Sequence, residues 1–424
     1  MINFQRIEMK RKLLLFFIGI TVFSVSVKAQ ENKLQFKFTG FIRADVCYDN
    51  RMSVVGNDGL FFLYPMDVNP DANGEDLNAQ PSLSLFSITT RPAFEVSGLR
   101  VFDADVTGKV EADFAGFGGQ YGNSTVLRIR QAYMKMQWKK SSLLIGMDWH
   151  PFFGPAIPGQ VSLNTGAPFN AFNRSPQLRY SYNINNKLSL TGAAIYQFQY
   201  NSIGPEGKSS AYQKYALVPE WLGMINYQTS SFMVGGGANF LTLKPRRSFI
   251  WNDKIYKADE LFYSYSLTAH LKYTENLFSI SAKTTYGLNM AHLSMLGGYG
   301  VKKQDTETGK QTYTNFKTSS SWLNVAYGKK YLANLLLGYA KNLGTQDPLI
   351  ENSALYGEGL NIDNLSRVVT SFSYNVPHFR LGFEYEFSHA NFGDNGSFSW
   401  KTGKMQQTHS VNSSRIVGLI AYLF

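Results

Sequence analysis

The residue types that most often carry out catalysis or bind metals are sparse in this chain of 424 residues. Cys47 is the single cysteine, and the six histidines show none of the spacing that metal sites require. His389 has a serine neighbour, but no residue pattern supplies the third group that would orient a catalytic base. We therefore expect no catalytic residue, no metal and no cofactor, and we expect that the protein is not an enzyme.

Arginine is the residue type that points to a chemistry, because its guanidinium group binds a carboxylate through two parallel hydrogen bonds. In the segments that contain these arginines, Asp and Glu are nearly as frequent as arginine. The position of each charge must therefore matter more for the choice of ligand than the net charge. Arginines that line a narrow, partly dry passage favour anions. The arginines predicted to line such a passage are Arg43, Arg91, Arg128, Arg130, Arg174, Arg179, Arg367 and Arg380.

Most of these arginines lie in segments where apolar residues recur at every second position, which is the period of a β-strand. Residues 34–46, 263–273 and 379–388 show the pattern most clearly, with one apolar face and one face of charged or small polar residues. With 17% charged and 15% aromatic residues, the chain has too little charge and too many aromatic side chains for a disordered protein. The pattern predicts an all-β fold.

Strand pairs joined by very short turns alternate with long polar connections, and a soluble β-sandwich gives no reason for such regularity. A barrel in the outer membrane of a Gram-negative bacterium does, because its periplasmic turns are short and its extracellular loops are long. The sequence therefore predicts a transmembrane antiparallel β-barrel of about 16 strands, each of roughly ten residues. Short turns are predicted near Ser97-Gly98, residues 139–141, Asn185-Asn186, Thr229-Ser230, Glu275-Asn276, Gly328-Lys329 and Pro377.

The two ends of the chain carry export and assembly signals. Residues 1–29 have the composition of a cleaved secretory signal peptide, with three basic residues at 10–12, an apolar run and a small residue, Ala29, before the predicted cleavage site. Residues 30–424 are then predicted to form a single barrel domain. Phe424 ends an alternating apolar run, which resembles the terminal signal that the barrel assembly machinery reads.

Residues 150–176 form the third predicted long loop and contain prolines, glycines and aromatic residues but no Asp or Glu. Such a segment is unusually apolar for a loop in water, and its prolines and glycines favour a compact shape. We expect the loop to fold into the barrel and narrow a water-filled pore. Alternatively, individual phenylalanines only attach the loop to the barrel wall. The residues predicted at this constriction are His150, Phe152, Phe153, Phe169 and Phe172.

Three segments, 127–133, 144–153 and 174–180, resemble the DcaP-like trimeric outer-membrane porins for small acids. They read Leu-Arg-Ile-Arg-Gln-Ala-Tyr, Leu-Ile-Gly-Met-Asp-Trp-His-Pro-Phe-Phe and Arg-Ser-Pro-Gln-Leu-Arg-Tyr. The resemblance is best over residues 125–182, and it implies a homotrimer of 16-stranded barrels that passes small, often negatively charged organic solutes. The first long loop departs from this expectation because it is acidic, with Asp58, Asp67, Asp71, Glu75 and Asp76.

Two functions from different classes remain open at this point. The first is a porin for passive diffusion of small hydrophilic solutes, with a preference for anionic organic acids; the second is a surface-exposed binding or adhesion barrel with an occluded lumen. Repeated Ser, Thr, Gln, Arg and Glu residues on the inner faces favour the porin. The expected partners are outer-membrane lipid, lipopolysaccharide, small anionic solutes and further copies of the chain. Nucleic acid is not expected, because the basic residues are spread singly along the strands.

Overall fold

The structure, a computed structural model, describes residues 33–56, 61–116 and 126–424. The predicted signal peptide, residues 1–29, lies outside this part of the chain. Within it, sixteen antiparallel strands form the wall of a closed barrel, which confirms the predicted fold. The wall strands are β1 Gln35–Asp49, β2 in two parts (Ser82–Phe86 and Arg91–Val101), β3 Ala104–Gly116, β4 Val126–Gln137, β5 Ser141–Trp149, β6 Arg174–Asn183, β7 Leu188–Ile195, β8 Glu220–Gln228, β9 Phe232–Leu243, β10 Phe262–Glu275, β11 Phe278–Leu288, β12 Gln311–Gly328, β13 Tyr331–Thr345, β14 Ile362–Val376, β15 Phe379–Gly393 and β16 Thr408–Leu423.

The barrel closes where the first wall strand pairs with the last. β1 and β16 are antiparallel, with a register that runs from Phe41 opposite Leu423 to Asp49 opposite Arg415. Backbone hydrogen bonds between Gly40 and Phe424 extend this seam to the last residue of the chain. Closure removes free strand edges, which could not be hydrogen-bonded in the hydrocarbon region of a membrane.

The apolar and polar residues that alternate in the sequence lie on the outer and inner faces of the barrel, respectively. In β10, Tyr263 and Leu267 point outward and are about half exposed, whereas Ser266 and His270 point inward and are buried. In β15, Phe383 is likewise 53% exposed, and its neighbour Glu384 is fully buried on the inner side. Apolar side chains therefore cover the outside of the barrel, and polar and charged side chains face the lumen.

Six of the seven predicted short turns connect wall strands at the same end of the barrel, and the seventh prediction was wrong. Ser97 and Gly98 lie inside β2, where the register shifts between Val96 and Leu99. The turn that follows uses Phe102 and Asp103, both with positive φ, as the tightest hairpin turns require. The Ser-Gly pair thus marks a bulge in the strand.

The connections at the other end of the barrel are long and carry short elements of their own. No helix among the described residues is long and apolar enough to cross a membrane. Four pairs of short strands form hairpins: Ser53–Gly56 with Phe61–Pro65, Ile203–Gly204 with Gly207–Lys208, Ser248–Trp251 with Lys254–Lys257, and Phe398–Ser399 with Lys404–Met405. A further short strand, Gly297–Gln304, pairs with β12 and with Leu355–Glu358. The helical elements are the turn Ala211–Lys214 and the 3-10 turn Ala291–Leu293.

Within the described part of the chain, segments of three long loops lie inside the barrel. The first loop, residues 50–81, inserts Phe61–Pro65; the third loop, residues 150–173, runs through the lumen; and the sixth loop inserts residues 289–296. The inward third loop confirms the prediction, although it ends earlier than residue 176 because β6 begins at Arg174. The inward first and sixth loops were not predicted. Their apolar side chains pack with inward wall residues into buried clusters.

Gly40 tests the closure of the barrel, because a side chain there would overlap the carbonyl oxygen of Arg91 and crowd the ring of Phe424. We expect Gly40→Ala to destabilise the seam by about 1–3 kcal/mol, the usual range for overpacking. Gly108→Ala is the matched control, because a methyl group there has open space around it. Heat-dependent mobility in gel electrophoresis measures the folded fraction, and equal unfolding temperatures for both variants would contradict the prediction.

Candidate functional site

Lys283, a charged residue buried in the barrel wall, holds the root of the third loop in the lumen. It lies on β11 and donates hydrogen bonds to the carbonyl oxygens of Phe152 and Phe153 and to Oδ1 of Asn170, each at 2.9 Å. An ammonium group has three donors, so all three have acceptors here. Its side chain is only 3% exposed, which leaves it little contact with solutes.

The tip of the third loop is held from two sides at Val161. Arg43 donates from Nη2 to the carbonyl oxygen of Val161 at 2.8 Å, and Glu384 accepts from the backbone N–H groups of Val161 at 2.6 Å and Ser162 at 3.3 Å. Arg43 is also paired with Asp45 at 2.5 Å. These buried charges therefore supply hydrogen-bond partners for three backbone groups at the tip of the loop.

A third contact joins two loops to one wall residue. Arg367 donates to the carbonyl oxygen of Ala167 in the third loop at 2.8 Å and to that of Leu63 in the first loop. Arg380 reaches another carbonyl oxygen of the third loop at 3.5 Å. Three of the predicted pore-lining residues, Arg43, Arg367 and Arg380, thus contact the third loop, and two of them are almost completely buried.

Three other predicted arginines line a cavity of about 230 Å³ between the third loop and the wall strands β2 to β4. We call this cavity the upper chamber. Arg91, Arg128 and Arg130 form its basic side, and aromatic rings form much of the rest. The other lining residues are Phe61, Thr89, Asp113, Trp149, Phe153, Ile157, Leu163, Thr165, Phe172 and Tyr200.

Two acidic residues hold the arginines of the upper chamber in place. Asp113 accepts from Arg128 at 3.0 and 2.9 Å and from Arg130 at 2.9 Å. Glu111 accepts from Arg130 at 2.9 Å and lies 3.7 Å from Arg91. Two carboxylates beside three guanidinium groups leave one positive charge in excess, so the upper chamber is electropositive.

Arg174 adds a further positive charge behind the aromatic side of the upper chamber. Its guanidinium carbon lies 4.8 Å from the ring centre of Trp149 and 5.3 Å from that of Tyr200, and its Nη2 donates to the hydroxyl of Tyr200 at 2.8 Å. Among the described residues it has no ion-pair partner. Stacking on aromatic faces stabilises such a buried cation.

A second cavity, of about 520 Å³, lies toward the short turns, and we call it the lower chamber. Arg179, the last of the predicted arginines, lines it and is paired with Asp148 at 2.5 Å. Trp149, Phe153 and Ile157 line both chambers. These three side chains therefore lie between the two cavities, and we call them the neck.

The predicted constriction residues divide between the chambers and the loop attachments. Phe153 lines both chambers and Phe172 lines the upper one. Phe152 and Phe169 are buried in apolar clusters between the loop and the wall. His150 is fully buried at the edge of the lower chamber.

His150 joins the root of the third loop to two neighbouring elements through Glu220. Its Nε2 lies 3.1 Å from Oε1 of Glu220, and its Nδ1 accepts from the backbone N–H of Phe152 at 3.1 Å. His292 of the sixth loop approaches the same carboxylate oxygen at 3.4 Å. Among the described residues, no group of three or more His, Cys, Asp or Glu side chains is arranged to hold a metal ion. The cluster connects β8, the third loop and the sixth loop.

Lys283, Glu220 and Phe61 belong to the site but were not predicted from the sequence. The alternation in β11 does place Lys283 on the inner face, with Ser281 and Thr285, but it does not reveal the loop atoms that it contacts. Glu220 begins a strand and Phe61 lies in a long connection, so neither has a periodic neighbourhood that would indicate its position.

Asp67, Asp71, Glu75 and Asp76 of the first loop do not line the upper chamber, and Asp58 lies outside the described residues. Asp76 pairs with Arg51 at 2.6 Å. Asp67 accepts from Nε2 of His409 at 2.6 Å, and Nδ1 of the same imidazole lies 2.7 Å from Asp394 in the last long loop. We call this bridge the rim clasp, because it ties the first loop to the last loop at the outer end of the barrel.

The model of the DcaP outer membrane protein family matches residues 23–199, which extends the resemblance noted over residues 125–182. The crystal structure of the outer membrane channel DcaP of Acinetobacter baumannii has a TM-score of 0.65 at 17% identity, covering 92% of this chain and 97% of that one. OmpT of Vibrio cholerae in its trimer form has a TM-score of 0.53 at 12% identity over 92% and 99% of the two chains. An anion-selective porin from Comamonas acidovorans has a TM-score of 0.53 at 12% identity over 92% and 100%. No curated protein sequence matches the chain. The matching family and these solved structures are outer-membrane channels and porins, which are not enzymes, and the expected outer-membrane location agrees with them.

Lys283→Met tests the attachment of the third loop. The substitution removes the hydrogen bonds to three buried acceptors. Oδ1 of Asn170 keeps the donor Nε1 of Trp322 at 3.3 Å and the carbonyl oxygen of Phe153 keeps Nδ2 of Asn170 at 3.4 Å, whereas a buried acceptor left without a donor costs about 1–3 kcal/mol. We expect a lower thermal midpoint and a larger, noisier single-channel conductance in planar bilayers, because the loop root is released. Lys303→Met, at an exposed lysine of the sixth loop, is the control. An unchanged midpoint and conductance in the Lys283 variant would contradict this role.

The rim clasp predicts a dependence of the first loop on pH. His409 lies at the outer end of β16, where the outward side chains of residues 408–414 are polar and the apolar band begins at Ile416. The hydrogen bond to Asp394, together with Asp67, raises the pKa of His409 above its usual 6.5. The stabilisation is therefore complete below pH 6.5 and is lost as pH rises through the raised pKa.

We expect amide hydrogen exchange of residues 66–78 to accelerate between about pH 6 and about pH 9 by more than the intrinsic change in exchange rate. His409→Gln should abolish this extra acceleration. His378→Gln, at a short turn on the opposite end of the barrel, should retain it. A first loop whose corrected exchange rate is the same at both pH values would refute the pH dependence of the clasp.

Proposed function

We propose that the chain, an outer-membrane barrel of the porin type, forms a water-filled channel for passive diffusion of small hydrophilic solutes, with a preference for anionic organic acids. One observation carries the proposal. Arg91, Arg128 and Arg130 line one side of the upper chamber, and aromatic rings line much of the rest. A solute with a carboxylate and a short carbon skeleton matches both sides.

The preference for anions has an electrostatic cause. The arginines exceed the carboxylates of the upper chamber by one charge, and Arg174 contributes another from behind Trp149. Electric fields are stronger in a narrow passage with walls of low dielectric constant than in open water. Guanidinium groups can also exchange part of their contact with Asp113 or Glu111 for a passing carboxylate, so that the solute is bound weakly and released.

The two chambers give the solute a route with cationic groups at both stages. From the upper chamber it passes the neck at Trp149, Phe153 and Ile157 and enters the lower chamber, where Arg179 and Lys135 lie. A volume of about 230 Å³ suits a small organic acid with a few waters. The size and the charge of a solute would therefore both determine how readily it passes the neck.

Two relatives support parts of this proposal. The Comamonas acidovorans protein is an anion-selective porin, and OmpT of Vibrio cholerae has a trimer form. We propose that this chain likewise assembles as a homotrimer in outer-membrane lipid and lipopolysaccharide. We further propose that Phe424, which completes the barrel seam, is read by the barrel assembly machinery during insertion.

The second candidate is a binding or adhesion barrel with an occluded lumen, and the three inward loop segments favour it. Solute uptake distinguishes the two functions. Liposomes that contain the protein should swell with succinate-like acids and, more slowly, with neutral sugars if the channel is open. No swelling with either solute would refute the channel and leave the occluded barrel.

Arg128→Gln tests the origin of the anion preference. A unit charge at about 8 Å contributes about 0.5–1 kcal/mol for an effective dielectric constant of about 40–80. Removal of the charge disfavours the anion and favours the cation by this amount. We therefore expect the anion-to-cation permeability ratio, measured from reversal potentials in a salt gradient, to fall by about five- to thirty-fold.

Arg100→Gln removes the same charge at an exposed position beside a short turn and is the matched control. Its permeability ratio should equal that of the parent protein. A cation preference in the parent, or equal ratios for the parent and the Arg128 variant, would contradict the proposed origin of selectivity.

A further inference from the structure

The first loop enters the lumen with an apolar segment that differs from its acidic outer part. Phe62, Leu63 and Tyr64 are each less than 10% exposed, as fully covered as the core of a soluble protein. The outer part, from Asp67 to Asp76, is mostly exposed. The loop is therefore divided into an inner apolar strand and an outer acidic turn.

We propose that the inner strand of the first loop, Phe61–Pro65, is a second constriction element, and that Phe61 determines the width of solute that the upper chamber accepts. The inference rests on the proposed channel function and deepens it. In this arrangement the third loop supplies Phe153 and Phe172, and the first loop supplies Phe61, whose ring packs against that of Phe172.

The inner strand is fixed by hydrogen bonds to three separate parts of the barrel. The backbone N–H of Phe62 donates to Oδ1 of Asn164 in the third loop at 3.0 Å. The hydroxyl of Tyr64 donates to Glu358 of the seventh loop at 2.5 Å. The carbonyl oxygen of Leu63 accepts from the wall residue Arg367. A segment held at three points keeps its position while solutes pass.

Arg367 is a positioning residue for both constriction loops. One guanidinium group donates to Leu63 of the first loop and to Ala167 of the third loop, and its guanidinium carbon lies 4.6 Å from the ring centre of Phe62. The distance between the two loops is thus set by a single rigid, planar group. The first loop cannot shift without losing a contact that the third loop shares.

Phe61 reaches the upper chamber from this fixed strand. Its ring centre lies 4.5 Å from that of Phe172, whose ring in turn lies 5.0 Å from Trp149 and 5.7 Å from Tyr200. Both Phe61 and the basic side, with Arg128, line the same cavity. Truncation of Phe61 would therefore widen the upper chamber without removing a charge.

The division of the first loop also explains how an acidic loop can cover an electropositive chamber. The inner strand, Phe61–Pro65, contains no Asp or Glu. Asp67 is engaged by His409 and Asp76 by Arg51, both outside the upper chamber. Asp67 and Asp76 therefore leave the charge of the chamber unchanged at close range, where salt screening is least effective.

The test compares Phe61→Ala and Phe61→Trp with the parent protein in planar bilayers and in swelling liposomes. We expect the alanine variant to raise single-channel conductance by roughly 20–50% and the tryptophan variant to lower it, because the two changes act on the width of the passage in opposite directions. The rate of citrate uptake relative to succinate uptake should rise with alanine and fall with tryptophan. The ratio of anion to cation permeability should stay unchanged in both.

Phe249→Ala is the matched control, because Phe249 lies in an outer hairpin and packs on Arg246 and Tyr256 outside the chambers. Heat-dependent gel mobility checks that each variant is folded, and the tryptophan variant carries the test if the alanine variant does not fold. Parent conductance and parent uptake ratios in both Phe61 variants would overturn the role of the first loop. Absence of conductance in the parent protein would instead refute the channel itself, so the two failures are distinguishable.

Discussion

The structure depends on a requirement of the third loop, whose polar backbone is enclosed in the barrel and must be hydrogen-bonded there. Charged side chains of the wall meet that requirement. Lys283 forms hydrogen bonds with the root of the loop, and Arg43 and Glu384 form hydrogen bonds with its tip at Val161. Arg367 forms a hydrogen bond with its later part, at Ala167. Each is buried because the loop covers it, and each would be costly to bury without the loop. Wall and loop therefore stabilise one another, and the position of the loop defines the two chambers.

Arginine serves three purposes on the same barrel face, and its surroundings decide which. Arg43 and Arg367 are covered by loops and act as attachments. Arg91 and Arg128 are partly exposed to a cavity and Arg130 lines its wall, because the third loop turns away from β2 to β4 and presents aromatic rings across a gap. Arg174 stacks behind those rings. A charge total for the lumen would therefore say little about selectivity, which depends on the few guanidinium groups that solutes can reach.

The fold could be predicted from the sequence because alternate residues of each barrel strand face the lipid and the lumen, so apolar and polar residues alternate along the chain. The inward third loop could also be predicted, since a long connection without acids and with several phenylalanines is poorly suited to water. Residues 289–296 also lack Asp and Glu and contain the apolar residues Met290, Leu293 and Met295, which could have indicated the inward sixth loop. The partners of Lys283 and Glu220 could not be predicted, because they depend on contacts between segments more than fifty residues apart. The Ser97-Gly98 pair misled for a local reason, since a bulge and a turn favour the same residues.

The proposed selectivity requires that a small anion is bound between the arginines and the aromatic rings of the upper chamber. Anomalous diffraction from crystals soaked in a brominated small acid, such as bromosuccinate, would locate this anion. We expect a bromine peak in the upper chamber, with the carboxylates within hydrogen-bonding distance of Arg91, Arg128 or Arg130. Bromine peaks confined to the outer surface or to the rim of the barrel, with an empty upper chamber, would contradict it.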